Sequence, residues 1–565
     1  MKKTALHERY EFLHIRQLIE WAGDEYADKW AYSFRQGGGD KSVTRISFGQ
    51  LRNDVRALAC TLAEMGCAGR HCAVVGKLSY EWVLAYFALQ SIGGVLVPLD
   101  PEWHAEDLAD TAKKANANFL FCDEDIAGKA EIIALSAPLI APPVYMQAKQ
   151  NERNLEMLVA MGKPKYRKNP DLYREAPIDP HAMSLLVFTS GTTGKGKGVM
   201  LSQEAILSNV CAAIPYIDYS DKTLGVLPPH HTYGSSVLVL GHVIIGAEVY
   251  ISAGLRHITK ELKEQKPGHL VLVPLYLETF YRRILANIKE QGKEKLFFRM
   301  IKASNALRRV GIDRRRELFR SVRAAFGGEL KTVISGGAPI NPEILAFFDA
   351  LGRETLNGYG ITECAPLIAF TPSRHVVVGS VGDPIDIDTV VIDSPNEDWE
   401  GEILVKGPNV MLGYYGDPEA TADAIDEDGF FHTGDYGRID EDGTLFITGR
   451  KKNLIILSNG KNVYPEEIEN ELISIPGLLE IVVYEGQSRR GQAHNAIVAE
   501  IFPDKDYCEK NGITDAAAYF KPFIDEYNRG AVAYKKIAQL KIRREEFPKN
   551  TLRKIMRFKL DTTIS

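Results

Sequence analysis

Residues Thr189–Gly198 read TSGTTGKGKG. Counted from Gly191 this is G-x-x-x-x-G-K, the first seven letters of a P-loop, but the eighth position, which should be Ser or Thr to ligate magnesium and open a helix, is Gly198. The flanks set the local structure. LLVF (185–188) before the loop is strand-like, and GVML (198–201) after it is strand-like too. Only at Ser202 does an N-cap open the helical run QEAILSNVCAAI. The order strand, loop, strand predicts a hairpin and disfavours a P-loop NTPase. Gly191, Gly194, Gly196 and Gly198 let the backbone approach an anion closely. Thr189, Ser190, Thr192 and Thr193 add hydroxyls, and Lys197 adds charge. Alone, the loop reads equally well as a flexible surface hairpin.

Working outward, strand and helix patterns alternate. Ala73–Val75, Glu81–Ile92, Val95–Leu99, Leu108–Ala115 and Phe119–Cys122 spell βαβαβ, a parallel sheet with helices on its faces. The rhythm returns at Leu224–Leu227, Ser235–Ile245, Glu248–Ile251, Ile258–Glu264 and Leu270–Val273. Two similar αβ layers are expected. From about Val376, Gly, Asp and short alternating runs such as GEILVKGPNVMLGYY and GTLFITGR predict strands of a small barrel. After Arg450 the pattern is mixed α/β, with a helix at Pro465–Ile473 and a strand at Ile481–Tyr484. The expected division is residues 1–449 and a small, mobile 450–565 unit.

The 565 residues carry 25% charged and 45% hydrophobic side chains and a net charge of −6, ordinary for a soluble globular protein and without a nucleic-acid signal. MKKTALHERYEFLH has no apolar run behind its lysines, so no secretory signal is expected. VLVLGHVIIGAEVYI is too short and too interrupted to span a bilayer. The seven cysteines form no C-x-x-C pair, which fits a reducing cytoplasm better than a zinc or disulfide framework.

Further motifs follow the loop in order: LPPHHTYG (227–234), ISGGAPI (334–340), NGYGITE (357–363), HTGDYGRID (432–440), TGRKKNLI (448–455), NGKNVYPEEIE (459–469) and PKNTLRKIMR (548–557). With TSGTTGKGKG they resemble the adenylate-forming, AMP-binding superfamily of acyl-CoA synthetases, luciferases and peptide-synthetase adenylation domains. Its signature loop is T-S-G-T-T-G-x-P-K-G, from which this chain departs by Gly196 in place of Pro. Each motif is weak alone; seven in family order along nearly the whole chain are specific.

The resemblance implies that a carboxylate is joined to AMP with loss of pyrophosphate, and that a thiol then displaces AMP. ATP, magnesium and CoA are the implied cofactor and co-substrates. Residues Thr189, Ser190, Gly191, Thr192, Thr193, Gly194 and Lys197 would close over the triphosphate. Thr189 and Glu363 would coordinate magnesium, hard oxygen donors suiting that ion. Gly337, Ala338 and Pro339 would line adenine, and Tyr359, within Asn357, Gly358, Gly360 and Thr362, would stack on it. Asp435 would accept from the ribose hydroxyls and Arg450 would contact ribose or phosphate. His231 would place the carboxylate or a phosphate, with His230 shaping the acyl entrance. Lys452 falls at the family hinge, Gly460 would leave room for pantetheine, and Lys554 would drive adenylation. Arg553 and Asn550 depart from the terminal motif, but Pro548 and Arg557 keep the lysine in register.

Lys302–Arg323 holds eight Lys/Arg and two acidic residues. Leu318, Phe319, Val322, Ala325 and Phe326 fall on one helical face, with Arg315, Arg316, Arg320 and Arg323 mostly off it. Such a run is commonly a solvated face. RRRELFRSVRAAFGGELKTVISGGAPI (314–340) resembles the segment that long-chain acyl-CoA synthetases carry before their adenine turn, which implies a long-chain fatty acid. The basic charge of the run suits peripheral contact with an anionic surface at the inner face of a membrane. A ligase loading an acyl carrier protein, and a nucleotide sensor without catalysis, are the alternatives. Glu363, Asp435, Arg450 and Lys554 together disfavour the sensor.

Overall fold

The computed structural model describes residues 4–35, 42–147, 153–189, 196–254, 256–457, 462–487, 493–549 and 555–563. The loop that opened the reading is a hairpin: Met183–Thr189 and Lys197–Ser202 pair antiparallel, Thr189 opposite Lys197. Ser202 then caps helix Gln203–Ala213, its Oγ accepting from the Ala205 N–H at 3.0 Å.

The hairpin belongs to a seven-stranded sheet. Its order is Gly413–Tyr414, Lys197–Ser202, Met183–Thr189, Val95–Leu99, His71–Val75, Phe119–Cys122, Val144–Tyr145. The strands from Met183–Thr189 onward run parallel. Alternation along each strand serves two cores, Cys72 and Val74 facing one and Ala73 and Val75 the other. Helices Ala105–Lys114 and Ala127–Ser136 cover the outer face through Leu108, Ala112, Ala130 and Ile133. Helix Tyr80–Gln90, apolar nearly all round, is buried on every side against the inner face.

That inner core is shared with a second β layer through Val249, Ile251 and Val271. The layer consists of a four-stranded sheet (Thr44–Ser47, Trp30–Phe34, Glu248–Ile251, Lys222–Gly225) and a five-stranded one (His269–Leu272, Thr332–Gly336, Glu354–Gly360, Leu367–Phe370, Asp383–Pro384). They abut where Thr223 Oγ1 donates to the His269 carbonyl at 3.0 Å. Helices Ile258–Gln265, Pro274–Glu290 and Pro342–Ala350 clad the outer side through Leu262, Phe280 and Phe348. Two stacked αβ layers are therefore present, as expected. The helix expected at Ser235–Ile245 starts earlier. Tyr233–Leu240 is wound as a π-helix and continues as Gly241–Ile244.

The strands expected to form a small barrel make an open antiparallel sheet among the described residues, Thr389–Asp393, Gly401–Lys406, Phe431–Ile439 and Leu445–Arg450. A bridge from Leu445 to Gly382 links it to the neighbouring layer. Beyond Arg450, strands Leu478–Gln487, Ala493–Pro503 and Ile537–Ile542 form a three-stranded sheet. Helices Pro465–Leu472 and Ala516–Gly530 bury Ile468, Leu472, Phe520 and Ile524 against it, a core separate from those above. Among the described residues no helix is long and apolar enough to cross a membrane.

The basic segment differs from the expectation of one amphipathic helix. It forms Glu294–Arg309, Arg315–Leu318 and Arg320–Ala325. Phe319 and Phe326 are buried as expected. Arg315 and Arg323, however, are tied down: Arg315 donates to the Asp349 carbonyl at 2.7 Å and pairs with Asp313 at 2.7 Å, while Arg323 donates to the Gly352 carbonyl at 3.0 Å. These contacts place positive charge at the C-terminal end of helix Pro342–Ala350, on the Asp349 carbonyl and on the Gly352 carbonyl just past the C-cap Leu351, so both arginines serve the fold.

Candidate functional site

Strand Phe431–Ile439 sets Asp435 opposite Arg450 in the neighbouring strand. Their side chains meet, Arg450 Nε lying 3.0 Å from Asp435 Oδ1. The Tyr359 hydroxyl, from the Glu354–Gly360 strand, donates to Asp435 Oδ2 at 2.8 Å. Thr433 Oγ1 accepts from the Asp435 N–H at 3.0 Å. Sequence-predicted Tyr359, Asp435 and Arg450 are thus one cluster drawn from three strands, with Tyr359 and Asp435 buried and Arg450 partly exposed.

Immediately after Tyr359 the chain turns sharply. A Cβ at Gly360 would lie 2.0 Å from the Pro366 carbonyl oxygen, so only glycine fits. The turn Thr362–Cys364 then carries Glu363. Burial raises the Glu363 pKa, while the Tyr414 hydroxyl, which donates to Glu363 Oε1 at 3.0 Å, and the charges of Arg450 and Lys197 oppose the rise. Lys197 Nζ sits 4.4 Å from the centroid of the Tyr414 ring. A partly buried carboxylate that accepts from a phenol and feels two cationic side chains is a fitting oxygen donor for a hard divalent cation beside polyphosphate. Thr189, its predicted companion, ends the first hairpin strand, with Oγ1 3.5 Å from the Lys197 carbonyl. Lys114 donates to the Gly196 carbonyl at 2.8 Å, anchoring the described end of the loop.

The predicted adenine turn follows strand Thr332–Gly336. Gly337 has φ +84°, and Ala338 and Pro339 are exposed. Tyr233, from the histidine motif, packs beneath it, its hydroxyl 3.2 Å from the carbonyls of both Leu272 and Ile334. Asn357 is occupied in the fold, Nδ2 donating to the Ser380 carbonyl at 3.3 Å, and Gly358 pairs with Gly336. His231 is partly buried, and its Nε2 has no partner among the described residues. Burial and the neighbouring His230 press its pKa down to about 3, so the ring is neutral at pH 7. Any placement of an anion by His231 then works through an N–H, not a cation. His230 is buried, its Nε2 3.6 Å from Asp100, and its ring lies 4.3 Å from that of His231.

Lys452, the expected hinge residue, is exposed at the rim of an open cleft with Thr433, Gly434, Arg450 and Lys451. Partial desolvation and Arg450 lower its pKa. Ser190, Gly191, Thr192, Thr193, Gly194, Gly460 and Lys554 lie outside the described residues. The ends of the terminal motif are held: the Met556 N–H donates to the Pro548 carbonyl at 2.7 Å, and Arg557 donates to the Val483 carbonyl at 2.9 Å and pairs with Glu469. Sequence reading missed Tyr414, Tyr233 and Lys114. Tyr414 was hidden in a run read only for strand alternation; the aromatic pair after Gly413 was its one available signal.

Residues 19–415 match the family model described as AMP-binding enzyme. Among curated relatives, rat long-chain-fatty-acid–CoA ligase 5 is 28% identical over 501 residues, 82% of this chain and 71% of the relative. Long-chain-fatty-acid–CoA ligase FadD15 of Mycobacterium bovis is 29% identical over 477 residues, 78% of this chain and 75% of the relative. The crystal structure of ATP-bound MatB from Rhodopseudomonas palustris shares the fold at a TM-score of 0.76, with 24% identity over 96% of this chain and 98% of that one. The motif order, the Tyr359–Asp435–Arg450 cluster and the family match converge: the chain belongs to the AMP-binding family of adenylate-forming enzymes.

Proposed function

We propose that the protein activates a long-chain fatty acid with ATP and transfers the acyl group to CoA. The observation that carries this reading is the coupling of two clusters, Tyr359–Asp435–Arg450 and Glu363–Tyr414–Lys197, through Arg450, whose charge acts on both carboxylates. In the first step a carboxylate oxygen attacks the α-phosphorus and pyrophosphate leaves with the bonding pair. In the second the CoA sulfur attacks the acyl carbon and AMP leaves. The first step brings two anions together, which calls for pre-aimed donors and cations. Lys197 and the loop hydroxyls serve the phosphates, Asp435 the ribose and neutral His231 the acid. Glu363 and Thr189 would hold magnesium, which when bound neutralises polyphosphate charge. Lys554 serves adenylation.

The names of the relatives favour a long-chain acid and CoA over a carrier protein. The separate core beyond residue 450 supports a division at 1–449 and 450–565. Lys452 is the hinge, and rotation brings residues 458–462, with Gly460, toward the thiol. Peripheral contact with an anionic membrane belongs to the same reading. Helix Glu294–Arg309 and the turn after it expose Leu296, Phe298, Leu307, Val310 and Ile312 beside Lys295, Arg299, Lys302 and Arg309. An apolar and basic surface whose acids, Glu294 and Asp313, stand only at its two ends suits anionic lipid.

The test is pyrophosphate release across saturated acids of graded length, each with CoA, with acyl carrier protein and with neither acceptor. Sustained release that peaks at long chains and requires CoA supports the reading. A peak at short or dicarboxylic acids, or a preference for carrier protein, replaces it.

A further inference from the structure

We propose that Tyr414 is a positioning residue that holds Glu363 and Lys197 in one arrangement, so that the metal-binding carboxylate and the phosphate-binding ammonium are set by a single side chain. This rests on the nucleotide-site reading above. Tyr414 reaches both partners with different parts of its side chain. Its hydroxyl donates to Glu363 Oε1 at 3.0 Å, and its ring face lies 4.4 Å from Lys197 Nζ. The first contact fixes which carboxylate oxygen is already engaged. The second places the ammonium of an otherwise exposed lysine over a π face.

Tyr414 is itself over-determined, as a positioning group needs to be. Its strand pairs with the second hairpin strand, Tyr414 opposite Val199. The Tyr415 N–H donates to the Gly198 carbonyl at 2.7 Å and the Leu412 N–H to the Met200 carbonyl at 2.9 Å. On the other side the Met411 N–H donates to the Glu363 carbonyl at 2.8 Å. Residues 411–415 are thus stitched to the loop-bearing strand and to the Glu363 turn at once. Thr421 Oγ1 accepts from the Tyr414 N–H at 2.9 Å, and the side chain is only 8% exposed. Gly413 is required for the approach: φ is +134°, and a Cβ there would lie 2.8 Å from Thr421 Cγ2. A tyrosine held this firmly acts on its two partners without touching the reacting atoms.

Two variants separate its two contacts. Tyr414→Phe keeps the ring and removes the hydroxyl. It should raise the magnesium activation constant about tenfold, the scale of a lost hydrogen bond to a charged group, and leave KM for the acid unchanged. Tyr414→Leu removes both contacts. It should raise the magnesium constant and also raise KM for ATP about threefold or more. A second readout needs no turnover: the rise in Tm on adding MgATP to acid-free protein should shrink in Phe and shrink further in Leu. If Leu does not fold, the Phe variant decides alone. Wild-type magnesium dependence and an undiminished MgATP-induced rise in Tyr414→Phe would overturn the assignment. No rise in the wild type would instead overturn the nucleotide-site reading on which it rests.

Discussion

Replacing Asp435 with Asn keeps the side chain's shape and removes its charge. In the wild type that buried carboxylate accepts from the Tyr359 hydroxyl at 2.8 Å and faces Arg450 Nε at 3.0 Å. A hydrogen bond to a buried charge contributes roughly 1.5–3 kcal/mol, and a neutral one about half that. The Arg450 side chain is 35% exposed, so solvent screening holds the ion pair to about 0–1 kcal/mol. Asn retains an acceptor for Tyr359, so its loss should be about 1–2 kcal/mol, and Ala, which orphans both partners, about 2–4 kcal/mol. If the carboxylate also accepts from ribose, the cost falls on ATP use. KM for ATP should rise roughly 5- to 30-fold in Asp435→Asn, at 1.4 kcal/mol per tenfold, with KM for the acid unchanged. Steady-state kinetics with each substrate varied, beside thermal melts without nucleotide, would decide it. A variant that melts lower but keeps the wild-type KM for ATP would refute the reasoning, because the cluster would then serve the fold alone.

Three further outcomes are expected. Lys554→Ala should abolish acyl-adenylate formation while largely sparing thioester formation from added acyl-adenylate; equal loss in both half-reactions, measured separately, would remove its assigned role. The buried histidines His242 and His269, with Nε2 atoms 2.8 Å apart, have pKa values lowered by burial, His242 to about 4. Below about pH 6.5 the unfolded chain binds protons that the folded chain refuses, so their stabilisation is complete above that pH and is lost as pH falls toward 4, at about 1.4 kcal/mol per pH unit for each histidine. Chemical denaturation of wild type and His242→Gln from pH 7.5 to 4.5 should show a shallower acid slope in the variant; parallel slopes would contradict this. Replacing Arg309, Arg316 and Arg320 with Gln should reduce co-sedimentation with anionic vesicles at low salt, each basic residue contributing about 1 kcal/mol, and should spare activity on soluble shorter acids. A wild type that never sediments would make these arginines a solvated face.

The layered architecture was legible because it rests on local signals. Val95–Leu99, Phe119–Cys122 and Glu248–Ile251 are short apolar runs bounded by turn residues, and each forms where its pattern places it. The hairpin was legible from the β-like flanks of TSGTTGKGKG and from Ser202 as a cap. The basic segment was not, because charge alone does not tell a solvated arginine from one closing a helix end; Arg315 and Arg323 found carbonyls at the end of a helix more than twenty residues away, Asp349 in its last turn and Gly352 just beyond it. Tyr414 escaped for the same reason. Its partners Glu363 and Lys197 are remote in sequence, and only the pairing of Gly413–Tyr414 with the hairpin brings them together. Motif residues such as Asp435, Arg450 and Tyr359 could be picked out singly, but their convergence on one carboxylate is a property of strand register.

The most direct test of the account is mass spectrometry of a single turnover with ATP, magnesium and palmitate, first without and then with CoA. The account predicts palmitoyl-adenylate and pyrophosphate in the first reaction, and its conversion to palmitoyl-CoA and AMP on addition of the thiol. Release of ADP and phosphate, or an adenylate that persists unchanged in the presence of CoA, would contradict it.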